Sequence, residues 1–464
     1  MRIFALAAVT AFACGSSPSA DDDDDVTPPD AADPSIDAPP GVWNAAPDCT
    51  DTDIYTSPAQ LPAARGAIVK CALGDRLELA ETQSELADSG AEGVTAQTGV
   101  QIVKLSYRTV RSNGTAAVST ATAYLPLVPR SVPVPVILIG RPTSGIADSC
   151  APSKDARPER NLAMPFAARG YVTITPDYAG LGTDGTHSYL DNHDAVTQLF
   201  DGALALAALQ PANTVGDPVA AVGYSQGGGI VLSAQALEFA MTGKHTLQAV
   251  AAIAPQWPIS TKSFSYEDVL RNPDRLTGLA GLAPPTVTVL RHYGFLINRM
   301  AMAGGEAFPA GERSSITSSI ESLCTVPLGG ALGAQQLHLR DLVDETFRLQ
   351  VLACIDGSAG CTGLGQAFHE WITSDFVTAD PAGARVLIAQ GLADQVMPAA
   401  GEAACDVAKL RAEGVEPQLC TDNLATHDTV LEKKIEDVVA WVEAILTGAT
   451  PPVCSQTSLP ACNR

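Results

Sequence analysis

A serine hydroxyl is barely ionised at neutral pH, so a chain that uses one as a nucleophile must also supply a base and a group to orient that base. Ser225 is the candidate nucleophile. It sits in Gly223, Tyr224, Ser225, Gln226 and Gly227, a G-x-S-x-G pentapeptide directly after Asp217 to Val222, which reads as a buried strand. A sharp strand-to-helix turn brings the positions two before and two after the serine close together, and glycines meet that need. From Gly228 to Leu237 the composition is small and apolar, as in a buried helix. Ser225 would then stand at a helix N-terminus, where backbone N–H groups favour developing negative charge. A chance turn of small residues is the plainer account of the pentapeptide alone, and the flanking strand and helix weigh against it.

The base and its partner must come from later loops, because α/β hydrolases order these groups as Ser, then Asp or Glu, then His. Of seven histidines, His292, His338 and His369 fall in a stretch without readable strands, while His427 follows the last predicted strand in a polar loop. His427 is therefore the candidate base. Asp394, in the turn Gly391 to Pro398 at the end of the strand Ala384 to Gln390, is the candidate acid. Asp422 and Asp428 compete, but both lie next to His427 in sequence and away from a strand end, and Asp428 reads better as a helix cap.

A tetrahedral oxyanion needs two N–H donors. Gln226, after the nucleophile, is one. The other should come from the loop Gly140 to Gly145, with Thr143 the candidate, since Pro142 has no N–H. Arg141 is unexpected in a site for a neutral ester, and an ordinary turn with this arginine in solvent is the competing account.

These residues need a scaffold of alternating elements. Val100 to Thr109 and Ala116 to Tyr124 read as strands joined by the turn Ser112, Asn113 and Gly114. Strands follow at 136–139, 171–175, 217–222, 249–253 and 384–390, with helices at 163–168, 196–208 and 228–237 between the earlier ones. Such alternation predicts an α/β fold with a mostly parallel sheet flanked by helices. From 256 to 380 the alternation stops; Arg271 to Met302 and Leu337 to Leu352 look helical, broken by Pro284, Pro285, Gly304 and Gly305. That stretch reads as a helical cap inserted into a core of 49–255 and 381–450. Thr429 to Leu446 carries apolar residues at helical spacing and forms the last helix.

The 464 residues have a formal net charge of −23, which argues against a nucleic-acid partner, and no run of about 20 apolar residues spans a bilayer. Arg2, the apolar run Ile3 to Ala13 and Cys14 resemble a bacterial lipoprotein signal, giving an extracytoplasmic protein tethered to membrane through a lipidated Cys14, or a secreted one. Residues 15–48, with Asp21 to Asp25 and several prolines, read as a disordered tether. Without Cys14, ten of eleven cysteines remain, enough for five disulfides in an oxidising compartment. Closeness favours Cys354 with Cys361, Cys405 with Cys420, and Cys454 with Cys462, the last stapling a tail over 451–464. Cys49 with Cys71 and Cys150 with Cys324 would then remain. No C-x-x-C pair points to structural zinc, and neither metal nor cofactor is expected.

From Tyr55 to about Thr447 the chain resembles the secretory lipase family, the bacterial and fungal lipases and esterases similar to Candida lipase A. The matching stretches are Gly223 to Gly228, Pro176 to Gly182, Tyr107 to Thr109 with Asn113 and Gly114, and the Asp394 and His427 loops. The resemblance implies an α/β-hydrolase fold with a helical cap before the acid-bearing strand, and hydrolysis of carboxylic esters. It also supports Cys150 with Cys324. One departure stands out: relatives commonly carry a His-Gly-Thr-Thr-Gly type loop where this chain has Arg141, Pro142, Thr143, Ser144 and Gly145. The expectation is a serine hydrolase of ester or lipid substrates. Acyl transfer, peptide cleavage or a non-catalytic binding role are the alternatives on the same scaffold.

Overall fold

Strands that are buried on both faces read as continuous apolar runs, and Val136 to Ile139, Ala220 to Val222 and Ala249 to Ile253 are such runs. In the computed structural model, which describes residues 41–155, 157–257, 264–274, 283–302, 305–334, 338–399, 402–454 and 459–462, they lie at the centre of a nine-stranded sheet. Its strands are β1 (Ile68–Leu77), β2 (Val100–Val110), β3 (Ala116–Pro126), β4 (Val134–Gly140), β5 (Val172–Pro176), β6 (Val215–Tyr224), β7 (Ala249–Ile253), β8 (Arg385–Gly391) and β9 (Gln418–Asp422). The order is β1-β2-β3-β5-β4-β6-β7-β8-β9. The β1–β2, β2–β3 and β3–β5 pairs are antiparallel, and every pair from β5–β4 to β8–β9 is parallel.

Alternate side chains feed two cores. Val136 and Leu138 of β4 join Val196, Leu199 and Leu206 of α3 (Asn192–Leu209) and Ile230 to Leu232 of α4 (Gln226–Thr242) on one face. Ile137 and Ile139 point the other way, into Leu86 of α1 (Leu79–Asp88), Leu162 to Phe166 of α2 (Arg157–Ala167), and Val430, Val438 and Trp441 of α12 (His427–Thr447). The hairpin turn forms as expected, with Gly114 at φ 81° and Arg111 N donating to Thr115 O at 2.9 Å.

Between β7 and β8 the described elements are helical: α5 (Phe264–Arg271), α6 (Ala283–Met300), α7 (Arg313–Ser322), α8 (Thr325–Ala334), α9 (Glu345–Ile355) and α10 (Gly363–Ser374). They share their own apolar core around Leu290, Phe295, Phe308, Phe347 and Phe368. The pieces are shorter than the sequence implied. Arg271 closes α5 rather than opening a helix, and Pro284 and Pro285 fall in the first turn of α6, where a missing N–H is tolerated. Among the described residues of that stretch before α9 (Glu345–Ile355), a single 3-10 turn, Leu339–Asp341, is helical. α11 (Ala403–Ala412) then separates β8 from β9.

The signal-like segment with Cys14, Asp21 to Asp25 and the tether as far as residue 40 lie outside the described residues, as do Gly304 and Leu337. Residues 41–48, placed in the tether by their composition, instead lie on the sheet domain: Gly41 N donates to Ala212 O at 3.0 Å and Trp43 Nε1 to Pro126 O at 2.9 Å. No described helix is long and apolar enough to cross a membrane.

Cys49–Cys71, Cys150–Cys324 and Cys354–Cys361 pair as expected. The other two bonds are Cys405–Cys462 and Cys420–Cys454, not Cys405–Cys420 and Cys454–Cys462. The sheet itself explains the exchange. Cys420 in β9 points into the core beneath α12, whereas α11, which carries Cys405, packs Val407 and Leu410 against the opposite face. The chain returning after α12 supplies a partner to each, Cys454 on one face and Cys462 on the other.

Candidate active site

β6 ends at Tyr224 and α4 begins at Gln226, leaving Ser225 alone in the turn at φ 56° and ψ −117°. A non-glycine residue held there is strained, and such strain persists only where surrounding bonds fix it. Ser225 N donates to Ile253 O at 2.9 Å, and Ser225 O accepts from Gly229 N and Gln256 N. The turn closes because its glycines have no Cβ. One added at Gly223 would stand 2.1 Å from Gly227 O, and one at Gly227 would stand 1.9 Å from Gly140 O.

Asp394 and His427 converge on this serine. His427 Nε2 lies 2.9 Å from Ser225 Oγ, and His427 Nδ1 lies 2.8 Å from Asp394 Oδ2. Asp394, in the turn after β8, is 5 % exposed; its Oδ1 accepts from Val396 N at 2.8 Å and Met397 N at 2.7 Å, and Gln390 Nε2 donates to Oδ2 at 3.3 Å. Both carboxylate oxygens are thus held before the imidazole arrives.

His427 is the first residue of α12 rather than a loop residue. Thr426 is the cap, forming a capping box with Thr429, so Asp428 is not the cap that its position suggested. Asp428 instead lies in the first turn, where its charge favours the helix N-terminus. Asp422 serves its own loop. Its Oδ1 accepts from Leu424 N and Ala425 N, bonds that draw its carboxyl below the usual range, and it pairs with Lys433. Tyr224 OH donates to His427 O at 2.7 Å, fixing the backbone behind the imidazole.

Gln226, as the first residue of α4, carries an N–H that the helix does not use. The loop after β4 lies against it through the Gly140–Gly227 contact. Thr143 Oγ1 is 2.8 Å from Tyr189 OH, and Ser144 O accepts from Thr325 N of α8 at 2.9 Å. Arg141 is not in solvent: it is 0 % exposed, with its guanidinium over the Tyr178 ring.

Beneath the loop lies a polar layer that sequence order did not reveal. Burial pushes the Asp177 carboxyl upward against its bonds to Ser153 and Thr120. Burial, then the Arg141 and Arg111 charges, holds His187 well below the usual histidine range, so it is neutral. Gln226 Nε2 lies 3.3 Å from His187 Nε2 and can donate to it. Burial raises Tyr189 to about 12. His187 precedes Ser225, so chain order sets it aside as a base; the stretch Pro176 to Gly182 was the available signal for this layer.

Among the described residues, one group of side chains is close enough to hold a metal ion: Cys420, Asp437 and Cys454. Its two sulfurs are joined in a disulfide, which removes them as thiolate ligands.

No protein-family model matches the chain, and no curated protein matches it. Solved structures do. The rice cell wall degrading esterase LipA of Xanthomonas oryzae, in a ligand-bound form, aligns at TM-score 0.62 and 18% identity over 83% of this chain and 100% of its own. Candida antarctica lipase A in its closed state gives 0.62 and 18% over 88% of each chain. A Legionella pneumophila protein gives 0.65 and 16% over 82% of this chain and 98% of its own. The sheet order, the helices on both faces and these alignments give the chain the α/β-hydrolase fold of such lipases and esterases.

Proposed function

We propose that this protein is a serine hydrolase of carboxylic esters, lipid esters foremost, working through an acyl-enzyme. The observation that carries the reading is the unbroken hydrogen-bond chain from Ser225 Oγ through His427 to Asp394, at the carboxyl ends of β6 and β8. Ser225 Oγ attacks the ester carbonyl carbon while His427 Nε2 takes its proton, and Asp394 holds Nδ1–H and stabilises the imidazolium. The Gln226 and Thr143 N–H groups receive the oxyanion. When the carbonyl reforms, the bond to the alkoxy group breaks and His427 protonates the departing alcohol. Water, deprotonated by His427, then attacks the acyl group and returns Ser225 to its hydroxyl.

Helices α5–α10 act as a cap over this site, attached by Cys150–Cys324 and by Thr325 N on Ser144 O. The five disulfides support an extracytoplasmic location, with Cys14 as a lipid tether to the membrane. Purified protein and Ser225→Ala should be assayed on p-nitrophenyl esters of increasing chain length. The expected result is hydrolysis by the first and a loss of at least about 10³-fold in the second. Equal rates in the two would overturn the reading.

A further inference from the structure

A trans peptide plane points its C=O and the following N–H in opposite directions, so whatever holds a carbonyl also aims the next amide. In the loop after β4, the plane that matters joins Pro142 O to Thr143 N–H. Pro142 O accepts from Arg141 Nη1 at 2.9 Å. The same nitrogen donates to Ser144 Oγ at 3.0 Å, so the guanidinium grips the chain on both sides of Thr143. Its remaining bonds anchor it: Nε and Nη2 donate to Asp177 O at 3.1 and 2.6 Å.

Arg141 is an expensive residue for a turn. It is fully buried, and its four hydrogen bonds go to neutral oxygens rather than to a carboxylate. The face of Tyr178, 4.9 Å from the guanidinium carbon, shares in its solvation. A planar fork spreads five donors over three nitrogens and so reaches oxygens on different sides of the loop, whereas a lysine must make all its bonds from a single nitrogen. If the Pro142–Thr143 plane turned over, the carbonyl would leave this donor and the amide hydrogen would face a buried cation. The neighbouring residues are fixed independently, Thr143 Oγ1 by Tyr189 and Ser144 O by Thr325 N, so the plane itself is what Arg141 decides.

We propose that Arg141 is a positioning residue for the oxyanion hole: its buried guanidinium holds Pro142 O inward and thereby keeps Thr143 N–H directed away from the interior, available to the acyl oxygen. The assignment rests on the ester-hydrolase reading above. It also accounts for a cation where a neutral ester is handled, because the charge serves the loop from behind and does not meet substrate.

The test uses Arg141→Met, Arg141→Lys and Ser144→Ala in the full-length protein. Rates are expressed per active site by the endpoint of fluorophosphonate labelling, so unfolded protein does not enter. Arg141→Met is expected to lower kcat about 10²-fold on a p-nitrophenyl ester, with KM within about threefold of the parent, since a displaced oxyanion donor is felt in the transition state. Arg141→Lys should recover little of this. A trifluoromethyl ketone, whose adduct with Ser225 places an oxyanion in the hole, should weaken in parallel with kcat, while a non-reactive ketone analogue should not. Unchanged kcat and unchanged trifluoromethyl ketone affinity per active site, or a loss confined to KM, would overturn the proposal. Where the arginine variants do not fold, Ser144→Ala decides: a fall in kcat of about fivefold with KM kept supports it, and parental kcat overturns it. No ester hydrolysis by the parent protein would remove the ester reading and this role with it; an active parent with indifferent variants would remove this role alone.

Discussion

Gly227, in the first turn of α4, lies so close to Gly140 at the end of β4 that a methyl group on it would stand 1.9 Å from Gly140 O and 2.7 Å from Arg141 N. Both obstacles are backbone, so no side-chain adjustment relieves them. The turn that holds Ser225 and the loop after β4 are therefore in direct contact. Gly227→Ala should push them apart, with a loss of about 1–3 kcal/mol in stability and about 10²-fold in kcat/KM. Gly330→Ala in α8, where nothing lies within 4 Å of the new methyl group, is the control and should keep both Tm and activity.

Asp394→Asn separates orientation from folding. The asparagine keeps an oxygen for Val396 N and Met397 N, so the turn after β8 should survive. It cannot accept Nδ1–H from His427 with its amide nitrogen, and the imidazole is left in the wrong tautomer or orientation. A fall of about 10³–10⁴-fold in kcat with Tm within a few degrees of the parent is expected. An equal fall in Tm and activity would mean that Asp394 is chiefly structural.

Ser225, Asp394 and His427, which the structure brings together, were legible as a set because the proposed chemistry demands a fixed order, and Ser225 and Asp394 each follow an apolar run. The sheet edges were not. β1 carries Lys70, Asp75 and Arg76 on an exposed edge, and β9 is five residues with polar ends, so neither shows a buried run. In the insertion, α7 buries only Ile316 and Ile320 among serines, and α8 contains Pro327 and three glycines, which read as breaks. The setting of Arg141 was out of reach for another reason. Its anchor, Asp177 O, lies 36 residues away and is a backbone atom, so no residue type announces it.

Disulfide pairing gives a direct chemical check of the sheet. Non-reducing proteolysis and mass spectrometry should link Cys405 to Cys462 and Cys420 to Cys454, and should find no Cys405–Cys420 peptide. Cys454→Ser should lower stability by about 2–4 kcal/mol, since the bond closes a loop of 34 residues around α12. Activity at low temperature should persist, because neither bond touches the Ser225 turn.

Asp194, in the first turn of α3, should make stability depend on pH in a direction opposite to that of most carboxylates. Its carboxylate accepts from Ser112 N at 2.8 Å, Arg111 Nη1 at 3.1 Å and Gln198 Nε2 at 2.7 Å, and Asp191, itself paired with Arg299 of α6, caps the same turn. Burial raises the group to about 6; Arg111 opposes this, and Asp191 adds to it. A pKa above the unfolded value of 3.8 means that the folded chain binds the proton more tightly. The contribution of Asp194 to stability is therefore fullest below about pH 4 and is lost as pH rises toward 6. Asp194→Asn does not titrate, so Tm of the parent minus Tm of the variant should fall between pH 4 and 6 and level off above about 7. A difference that rises with pH over that interval would show that Arg111 outweighs burial and holds the carboxylate charged.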